Sequence, residues 1–249
     1  MKINVIGDIH GRTNWKDLVL EDAVNVFVGD YFDPYRRMNA DDLMINFTDI
    51  CEYARNHSNN TILLYGNHDF HYIVPEYGGS TSRYDWHNAS KFTELFDDYS
   101  SLFYGVAYAP DHMHLITHAG VTKEWLDKYL DTDDFTGVYT PDGSKVPNTK
   151  EMELFINDMW EKDKSAFSFY RNCDRYDTYG TTPTQSPIWV RPDTLAFCNA
   201  YKGTGIIQIV GHTQVKRLVD ISEERGLVIV DCLGQETESY KFDTVDSKK

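Results

Sequence analysis

Asp8 and His10 stand two residues apart in the stretch Gly-Asp-Ile-His-Gly, directly after an apolar run at residues 3–6. A carboxylate and an imidazole at this spacing could both bind one metal ion, because both are ordinary ligands of Mn, Fe and Zn. The pair alone is a weak indication, since aspartate is also common in the turns that follow strands. Its meaning depends on whether other ligand-type residues reach the same place.

Comparable side chains follow several other apolar runs. They are Asp30 after residues 24–28, Asn67 and His68 after 61–65, His118 after 113–117, and His212 after 206–210. Apolar runs that alternate with helical patterns predict parallel β-α-β units. Sites in open sheets of this kind lie at the carboxyl ends of the strands. We therefore expect Asp30, Asn67 and His68 to emerge on the same edge of one sheet as Asp8 and His10, and His118 and His212 are further candidates.

Six of these groups suit two metal ions if one carboxylate is shared between them. They are Asp8, His10, Asp30, Asn67, His118 and His212. Two-metal sites hold the attacking and leaving oxygens of an in-line phosphoryl displacement. A water molecule bound between the ions loses its proton more readily and becomes the nucleophile.

The elements that must position these residues can be read from capping signals. Asn39 predicts the start of a helix to about residue 55, and Thr122 predicts another. Asn148 with Glu151 forms a capping box for a third helix, through residue 160. A shorter helix is expected from residue 13 or 14, and the polar tail at residues 243–249 is expected to fray.

Residues 131–199 break the alternating pattern. The segment shows no clear strand alternation and is rich in Tyr and Trp. We expect a single domain over residues 1–249, in which 131–199 is a cap-like insertion that folds over the strand ends and shapes the substrate pocket. Its tyrosines could stack on a nucleoside base, or they could be ordinary packing.

Composition narrows the class of partner. The 249-residue chain has a formal net charge of −15, which repels phosphate backbones and disfavours duplex nucleic acid as a partner. The four cysteines are far apart and form no C-x-x-C pair, which favours free thiols in a reducing compartment. With neither a signal-peptide pattern nor an apolar run of about 20 residues, we expect a cytoplasmic protein without a membrane partner.

Five motifs appear in a fixed order along the chain. They are Gly-Asp-Ile-His-Gly (7–11), Gly-Asp-Tyr-Phe-Asp (29–33), Gly-Asn-His-Asp (66–69), Thr-His-Ala-Gly (117–120) and Val-Gly-His-Thr (210–213). This series resembles the calcineurin-like metallophosphoesterase superfamily, and within it the branch of Ser/Thr phosphoprotein phosphatases and symmetrical diadenosine tetraphosphatases. The resemblance implies an α/β fold (α+β in some schemes), a four-layer sandwich of two mixed β-sheets flanked by helices.

The resemblance also implies a role for each matching residue. Asp8 and His10 would bind the first metal, Asp30 would bridge, and Asn67, His118 and His212 would bind the second. His68 would be the general acid, and Asp33 would orient it. Arg191, in a Trp-x-Arg stretch like that of small bacterial members, would bind the substrate phosphate beside Asn67. Mn is the expected metal, with Fe or Zn as alternatives.

Two departures from the family pattern concern the phosphate and the first metal. The protein phosphatases carry an arginine directly after the residue that corresponds to Asp33, whereas this chain has Pro34 there. Arg36 or Arg37 could reach the phosphate instead, although a solvated pair is the simpler interpretation. Gln214 stands where many phosphodiesterases have a further histidine ligand of the first metal.

The sequence therefore predicts a metal-dependent phosphoesterase that hydrolyses phosphomonoesters, including phosphoserine, phosphothreonine or phosphotyrosine. The substrate would be a phosphorylated small molecule, a nucleotide or a phosphoprotein. The alternative is a symmetrical diadenosine tetraphosphate hydrolase, which the motifs do not separate from a phosphomonoesterase. A phosphodiesterase or nuclease is disfavoured by Gln214 and by the net charge, and a non-catalytic scaffold by the complete set of ligand-type residues.

Overall fold

Two five-stranded sheets form the centre of the protein, which is described by a computed structural model over residues 1–74, 76, 83–130 and 135–245. The first sheet contains β1 (Lys2–Ile6), β2 (Val24–Phe27), β3 (Thr61–Leu64), β4 (Phe103–Gly105) and β12 (Tyr240–Asp243), in the order β12-β1-β2-β3-β4. The second contains β5 (Ala107–Tyr108), β6 (His114–Thr117), β9 (Ile207–Val210), β10 (Val219–Ile221) and β11 (Leu227–Ile229), in the order β10-β11-β9-β6-β5.

Both sheets are mixed. Strands β1 to β4 run parallel to one another, and so do β6, β9 and β11, whereas β12, β10 and β5 pair antiparallel at the edges. Because the carboxyl ends of parallel strands meet at one edge, the loops that follow them share one side of each sheet. The predicted strands and their parallel arrangement are confirmed.

Successive side chains along each strand point to opposite faces of the sheet, and this alternation produces the layers. Val26 of β2 packs between the sheets with Ile116 and Ile209, whereas the neighbouring Phe27 faces the helices on the other side. Val210 of β9 faces α7 on the outer side of the second sheet, where it contacts Leu195. The result is the predicted four-layer sandwich, with helices outside two packed sheets.

The helices follow their capping signals. They are α1 (Ala40–Asn56), α2 (Asn67–Ile73), α3 (Ala89–Tyr99), α4 (Lys123–Tyr129), α5 (Thr149–Lys162), α6 (Phe169–Asn172), α7 (Pro192–Cys198) and α8 (Ser222–Arg225). The side chains of Asn39, Thr122 and Asn148 accept backbone N–H groups at the starts of α1, α4 and α5, as predicted. The helix expected after Gly11 is only a 3-10 turn, Asn14–Asp17.

The segment predicted as an insertion is anchored to the core. Trp160 of α5 is buried against Tyr65, and Asn157 accepts the backbone N–H groups of Val106 and Ala107. The segment also holds a small hairpin, β7 (Val138–Tyr139) and β8 (Lys145–Val146), which its sequence did not indicate. Residues 131–134 lie outside the described residues.

The carboxyl-terminal tail is ordered further than predicted. Asp243, the expected start of a frayed tail, is the last residue of β12 and pairs with Lys2. The backbone N–H of Val245 donates to Asp111. Strand β12 forms because the open edge of β1 offers unpaired backbone groups. Residues 246–249 lie outside the described residues.

Two further observations concern the predicted location. All four cysteines are free thiols. Among the described residues, none of the helices combines the length and the apolar character needed to cross a membrane.

Candidate active site

The ligand-type residues of both sheets meet where the parallel strands end. Asp8 follows β1, Asp30 follows β2, and His118 follows β6 in the other sheet. Their ligand atoms lie within 4.8 Å of one another, and all three residues are buried. The two sheets thus contribute to one cluster, whereas the strand pattern predicted the edge of a single sheet; His118 comes from the second sheet.

Hydrogen bonds behind the imidazoles fix which nitrogen faces the cluster. His10 Nδ1 lies 2.9 Å from the carbonyl oxygen of Phe32, and His118 Nδ1 lies 2.8 Å from that of Val28. A ring nitrogen beside a carbonyl oxygen must carry the proton, so each Nε2 presents a lone pair. These Nε2 atoms lie 3.4 Å and 3.5 Å from Asp30 Oδ2. Metal-binding histidines are held in this way by backbone acceptors.

Asn67 provides a test of whether the cluster fits a cation. Its Oδ1 lies 2.8 Å from His118 Nε2 and 2.8 Å from His212 Nδ1. Oδ1 is an acceptor, and so is His118 Nε2, because burial lowers the pKa of His118 to about 3. A cation bound by both atoms would remove the repulsion between these two lone pairs. A divalent ion that prefers carboxylate, imidazole and amide ligands fits the donor set.

The carboxylates are held by backbone donors. The two oxygens of Asp8 lie 3.1 Å and 3.0 Å from the backbone nitrogen of His212, which donates to them. Asp30 Oδ1 accepts the backbone N–H of His68 at 2.9 Å. Burial raises the pKa of Asp8 and of Asp30 well above the usual range. A nearby cation would favour the charged form of both groups.

Four residues of the site adopt left-handed backbone conformations that are rare outside glycine. The φ angles are 44° at His10, 56° at Asp30, 55° at Asp33 and 65° at His212. Each costs on the order of 1–3 kcal/mol and persists only where the surrounding structure enforces it. Such strain gathers at functional sites, because it directs side chains to places that regular structure does not reach.

Two motif glycines are required by close approach. A Cβ on Gly66 would lie 2.2 Å from Asp30 Oδ1, and a Cβ on Gly211 would lie 2.1 Å from Asp8 Oδ1. Any larger residue would displace the carboxylate. These two glycines therefore leave room for the carboxylates of Asp30 and Asp8, in addition to allowing the turns.

Asp69 joins the ends of β2 and β3. Its carboxylate accepts the backbone N–H groups of Asp30 at 2.8 Å, Gly66 at 2.8 Å and Tyr31 at 2.9 Å. Asp69 is fully buried. Sequence analysis did not assign it a function, although its place as the last residue of Gly-Asn-His-Asp is a signal that could have done so.

His68 forms a catalytic-type pair with Asp33. His68 Nδ1 lies 2.6 Å from Asp33 Oδ2, and the Tyr72 hydroxyl donates to the other oxygen of Asp33. Burial raises the pKa of Asp33 to about 7, against the opposing effect of the Tyr72 hydrogen bond. Burial and then the charge of Arg83 lower the pKa of His68. The arrangement leaves His68 Nε2 facing the cavity.

A cavity of about 510 Å³ opens over the cluster. Its lining combines cluster residues, two arginines and aromatic side chains of the predicted insertion: His10, Asp30, Tyr35, Asn67, His68, Arg83, Phe169, Tyr170, Asp177, Thr178, Tyr179, Trp189, Arg191 and His212. Residues of the segment predicted as an insertion thus line a cavity beside the ligand cluster, and its use as the substrate pocket stays a prediction.

Arg191 reaches this cavity from the start of α7. Its Nε donates to the Tyr179 carbonyl oxygen at 2.6 Å, and its Nη1 donates to Thr213 Oγ1 at 3.1 Å. These bonds hold the guanidinium beside His212. Its role in phosphate binding stays a prediction, but its position is compatible with that role.

Arg83 is a second residue that sequence reasoning missed. Its Nε donates to the Asp33 carbonyl oxygen at 2.9 Å, and its Nη2 lies 3.2 Å from His68 Nε2. Its guanidinium also stacks on Tyr35, 3.8 Å from the ring centre. Nothing in the local sequence marks this arginine, because it belongs to no motif.

Arg36 lies outside the cavity that contains His68 and Arg83. It is exposed and lines a neighbouring cavity of about 380 Å³ together with Arg12 and Gln214. It is not among the residues that line the cavity of His68. Its predicted contact with the phosphate therefore stays a prediction, and Arg83 occupies the nearer place.

Comparison with known proteins places this geometry in a family. The calcineurin-like phosphoesterase family matches residues 1–216. Comparison with curated protein sequences gives no significant match.

Two solved structures share the fold. One is a cold-active protein-tyrosine phosphatase of a psychrophilic Shewanella species, with 16% identity, a TM-score of 0.54, and coverage of 96% of this chain and 74% of the other. The other is a protein serine/threonine phosphatase from Saccharomyces cerevisiae, with 14% identity, a TM-score of 0.53, and coverage of 100% and 81%. At this identity the likeness establishes the fold, whereas the family match extends over most of the sequence. The protein therefore belongs to the calcineurin-like phosphoesterase family and is a hydrolase that acts on phosphoester bonds.

Proposed function

We propose that this protein hydrolyses phosphomonoesters with two divalent metal ions, of which Mn is the expected one and Fe or Zn the alternatives. One observation supports the proposal most strongly. A single cavity brings together four of the ligand-type residues, the Nε2 of His68, which pairs with a carboxylate, and two arginines. That combination suits a substrate with a terminal phosphate of two negative charges.

The ligand roles follow the positions of the side chains. Asp8 and His10 would hold the first ion, Asp30 would be shared, and Asn67 with His118 would hold the second. His212 completes this second group, since its Nδ1 faces the same oxygen of Asn67. Bound ions would supply positive charge to the phosphoryl oxygens and lower the pKa of a water molecule at the site.

The protein's own residues would handle the leaving group. Asp33 accepts from Nδ1 and holds the ring, so that His68, once protonated at Nε2, can pass that proton to the departing oxygen in the cavity. Arg83 beside Nε2 lowers the pKa of His68. A phosphate that binds Arg83 neutralises this charge, so substrate binding would favour the protonated acid.

Arg83 and Arg191 would bind the phosphate from two sides. Both guanidiniums are fixed by backbone carbonyl oxygens, Arg83 by that of Asp33 and Arg191 by that of Tyr179. Fixed arginines bind phosphate with less loss of conformational entropy than mobile ones. Arg83 would thus bind the phosphate in place of the arginine that the protein phosphatases carry at the position of Pro34.

The organic part of the substrate would contact aromatic residues. Phe169, Tyr170, Tyr179 and Trp189 line the cavity, and Tyr170 and Tyr179 are 67% and 74% exposed. Exposed aromatic rings beside a phosphate site favour an aryl phosphate, such as phosphotyrosine in a peptide. They would also stack on a nucleoside base.

A dinucleoside polyphosphate is the second candidate, and one observation favours it. The neighbouring cavity of about 380 Å³ carries Arg12 and Arg36 and shares His10 and Tyr35 with the first cavity. A substrate with two arms could occupy both. Symmetrical diadenosine tetraphosphate has that form.

A substrate panel separates the candidates. Metal-free protein is supplied with Mn and assayed on p-nitrophenyl phosphate, phosphotyrosine and phosphoserine peptides, AMP, diadenosine tetraphosphate and bis-p-nitrophenyl phosphate. The proposal predicts the highest kcat/KM for a phosphomonoester. A preference for diadenosine tetraphosphate would support the second candidate, and a preference for the diester would overturn both.

A further inference from the structure

We propose that Asp231 secures the first metal ion in this chain by supplying negative charge beside Asp8, at a site where Gln214 stands in place of a histidine ligand. The proposal rests on the metal site proposed above. No motif of the sequence analysis includes Asp231.

Asp231 comes to the site in the same way as the expected ligands. It follows β11, which runs parallel to β9, the strand that leads to His212. The carboxyl end of β11 therefore lies at the same edge of the second sheet. A Cβ on Gly7 would lie 3.0 Å from the Asp231 Cα, so this backbone packs directly against the turn that carries Asp8.

The carboxylate of Asp231 is buried without a donor. Its exposed fraction is 0%, and among the described residues no N–H group donates to either oxygen, while the side chain that it meets is the carboxyl group of Asp8. An unpaired buried carboxylate costs several kcal/mol unless a proton or a cation accompanies it. A buried carboxylate of this kind is typical of a site where a bound cation balances its charge.

The neighbours of Asp231 point to a cation. The Asp231 backbone packs on the turn that carries Asp8, and the charge of Asp231 accordingly raises the pKa of Asp8 beyond the effect of burial. Arg12 and Arg83 are the positive groups that act on Asp231, and Arg12 Nη1 donates to the Asp8 carbonyl oxygen at 3.0 Å. Both guanidiniums are only half-buried, whereas the two carboxylates are fully buried, and a divalent ion on Asp8 would supply charge directly at them.

Gln214 lies on the same side of the site. It lines one cavity with His10 and Arg12, and a Cβ on Gly234 would lie 2.0 Å from its Nε2. A neutral amide is a weaker partner for a divalent ion than an imidazole or a carboxylate. Asp231 therefore offsets the weaker ligand on the first ion.

The test measures metal affinity directly. Mn²⁺ is titrated calorimetrically into the metal-free full-length protein and into Asp231→Asn, which keeps the shape and removes the charge. We expect one of two Mn²⁺ sites to weaken by at least about tenfold and the other to change by less than about threefold. Asp220→Asn, which removes an exposed carboxylate from the adjacent strand β10, is the matched control and should bind like the wild type.

A second variant separates charge from packing. Asp231→Glu keeps the charge but is larger, so affinity at the first site should stay closer to the wild type than in Asp231→Asn. Circular dichroism and thermal unfolding check the fold of each variant. If the asparagine variant does not fold, the glutamate variant decides, because retained first-site affinity supports the proposal and its loss overturns it.

The remaining outcomes distinguish this proposal from the proposed function. Unchanged Mn²⁺ binding in folded Asp231→Asn, or equal weakening of both sites, would overturn the role of Asp231. A wild type that binds two ions but hydrolyses no phosphomonoester would overturn the proposed function and leave the role of Asp231 intact. A wild type that binds fewer than two ions would overturn both.

Discussion

Replacement of Arg83 tests which arginine binds the substrate phosphate, the assignment for which the structure favours a different residue from the sequence. Arg83 lies beside His68 in the main cavity, whereas Arg36 is exposed and lines the neighbouring cavity. We expect Arg83→Ala to weaken phosphate binding strongly and Arg36→Ala to leave it nearly unchanged. The two variants remove the same side chain from two places, so each is a control for the other.

The expected size follows from the contacts. A hydrogen bond to a charged group contributes about 1.5–3 kcal/mol, and about 1.4 kcal/mol corresponds to a factor of ten. Loss of Arg83 should therefore lower kcat/KM by about 10- to 150-fold. Because Arg83 is only half-buried, the lower end of this range is the better expectation.

The assay is steady-state hydrolysis of p-nitrophenyl phosphate in saturating Mn²⁺, together with competitive inhibition by inorganic phosphate. The inhibition constant of phosphate should rise by a similar factor to KM in Arg83→Ala, because both report binding of the same group. Arg83→Lys keeps the charge but loses the bond to the Asp33 carbonyl oxygen, so a smaller loss of about threefold to tenfold is expected.

The reasoning would be refuted by the opposite pattern. If Arg36→Ala raised KM and the phosphate inhibition constant while Arg83→Ala left both unchanged, the phosphate would bind nearer the second cavity. If kcat fell in Arg83→Ala with no change in phosphate inhibition, Arg83 would act through His68 or Asp33 and not on the phosphate.

The remaining predictions concern the metals and the acid. Exhaustive chelation should abolish turnover and Mn²⁺ should restore it; full activity of the metal-free protein would refute the two-metal account. His68→Asn should reduce kcat by about 10²–10⁴-fold with metal content unchanged, and loss of metal would identify His68 as a ligand. Tyr72→Phe removes the hydroxyl that donates to Asp33, so kcat should fall about threefold to tenfold; an unchanged kcat would show that Asp33 is held without it. Since the charge of Arg83 lowers the pKa of His68, Arg83→Ala should raise that pKa and shift the alkaline fall of kcat/KM to higher pH, whereas a shift to lower pH would contradict this sign.

Much of the fold was predictable because its signals are local. The apolar runs that end in glycine and a polar residue predicted the parallel strands, and Asn39 and Asn148 predicted the starts of α1 and α5. Strand β12 escaped notice because its pairing depends on β1, at the other end of the chain. The small hairpin of β7 and β8 escaped because strands of two residues show no periodicity.

The residues of the site also fall into those that the sequence could predict and those that it could not. Asp8, Asp30 and His118 belong to motifs, and the structure brings their ligand atoms together. Arg83 and Asp231 belong to none, because their roles depend on which groups happen to face them after folding. The left-handed backbone conformations of His10 and Asp30 were also not predictable, because neither residue type by itself indicates a positive φ angle.

A crystal structure of the Mn²⁺-loaded protein, with anomalous scattering recorded at the Mn edge, tests the central claim most directly. The account predicts two anomalous peaks about 3.5–4 Å apart, with the Asp30 carboxylate between them, His10 on one and His118 on the other. A single peak, or peaks away from this cluster, would contradict the account.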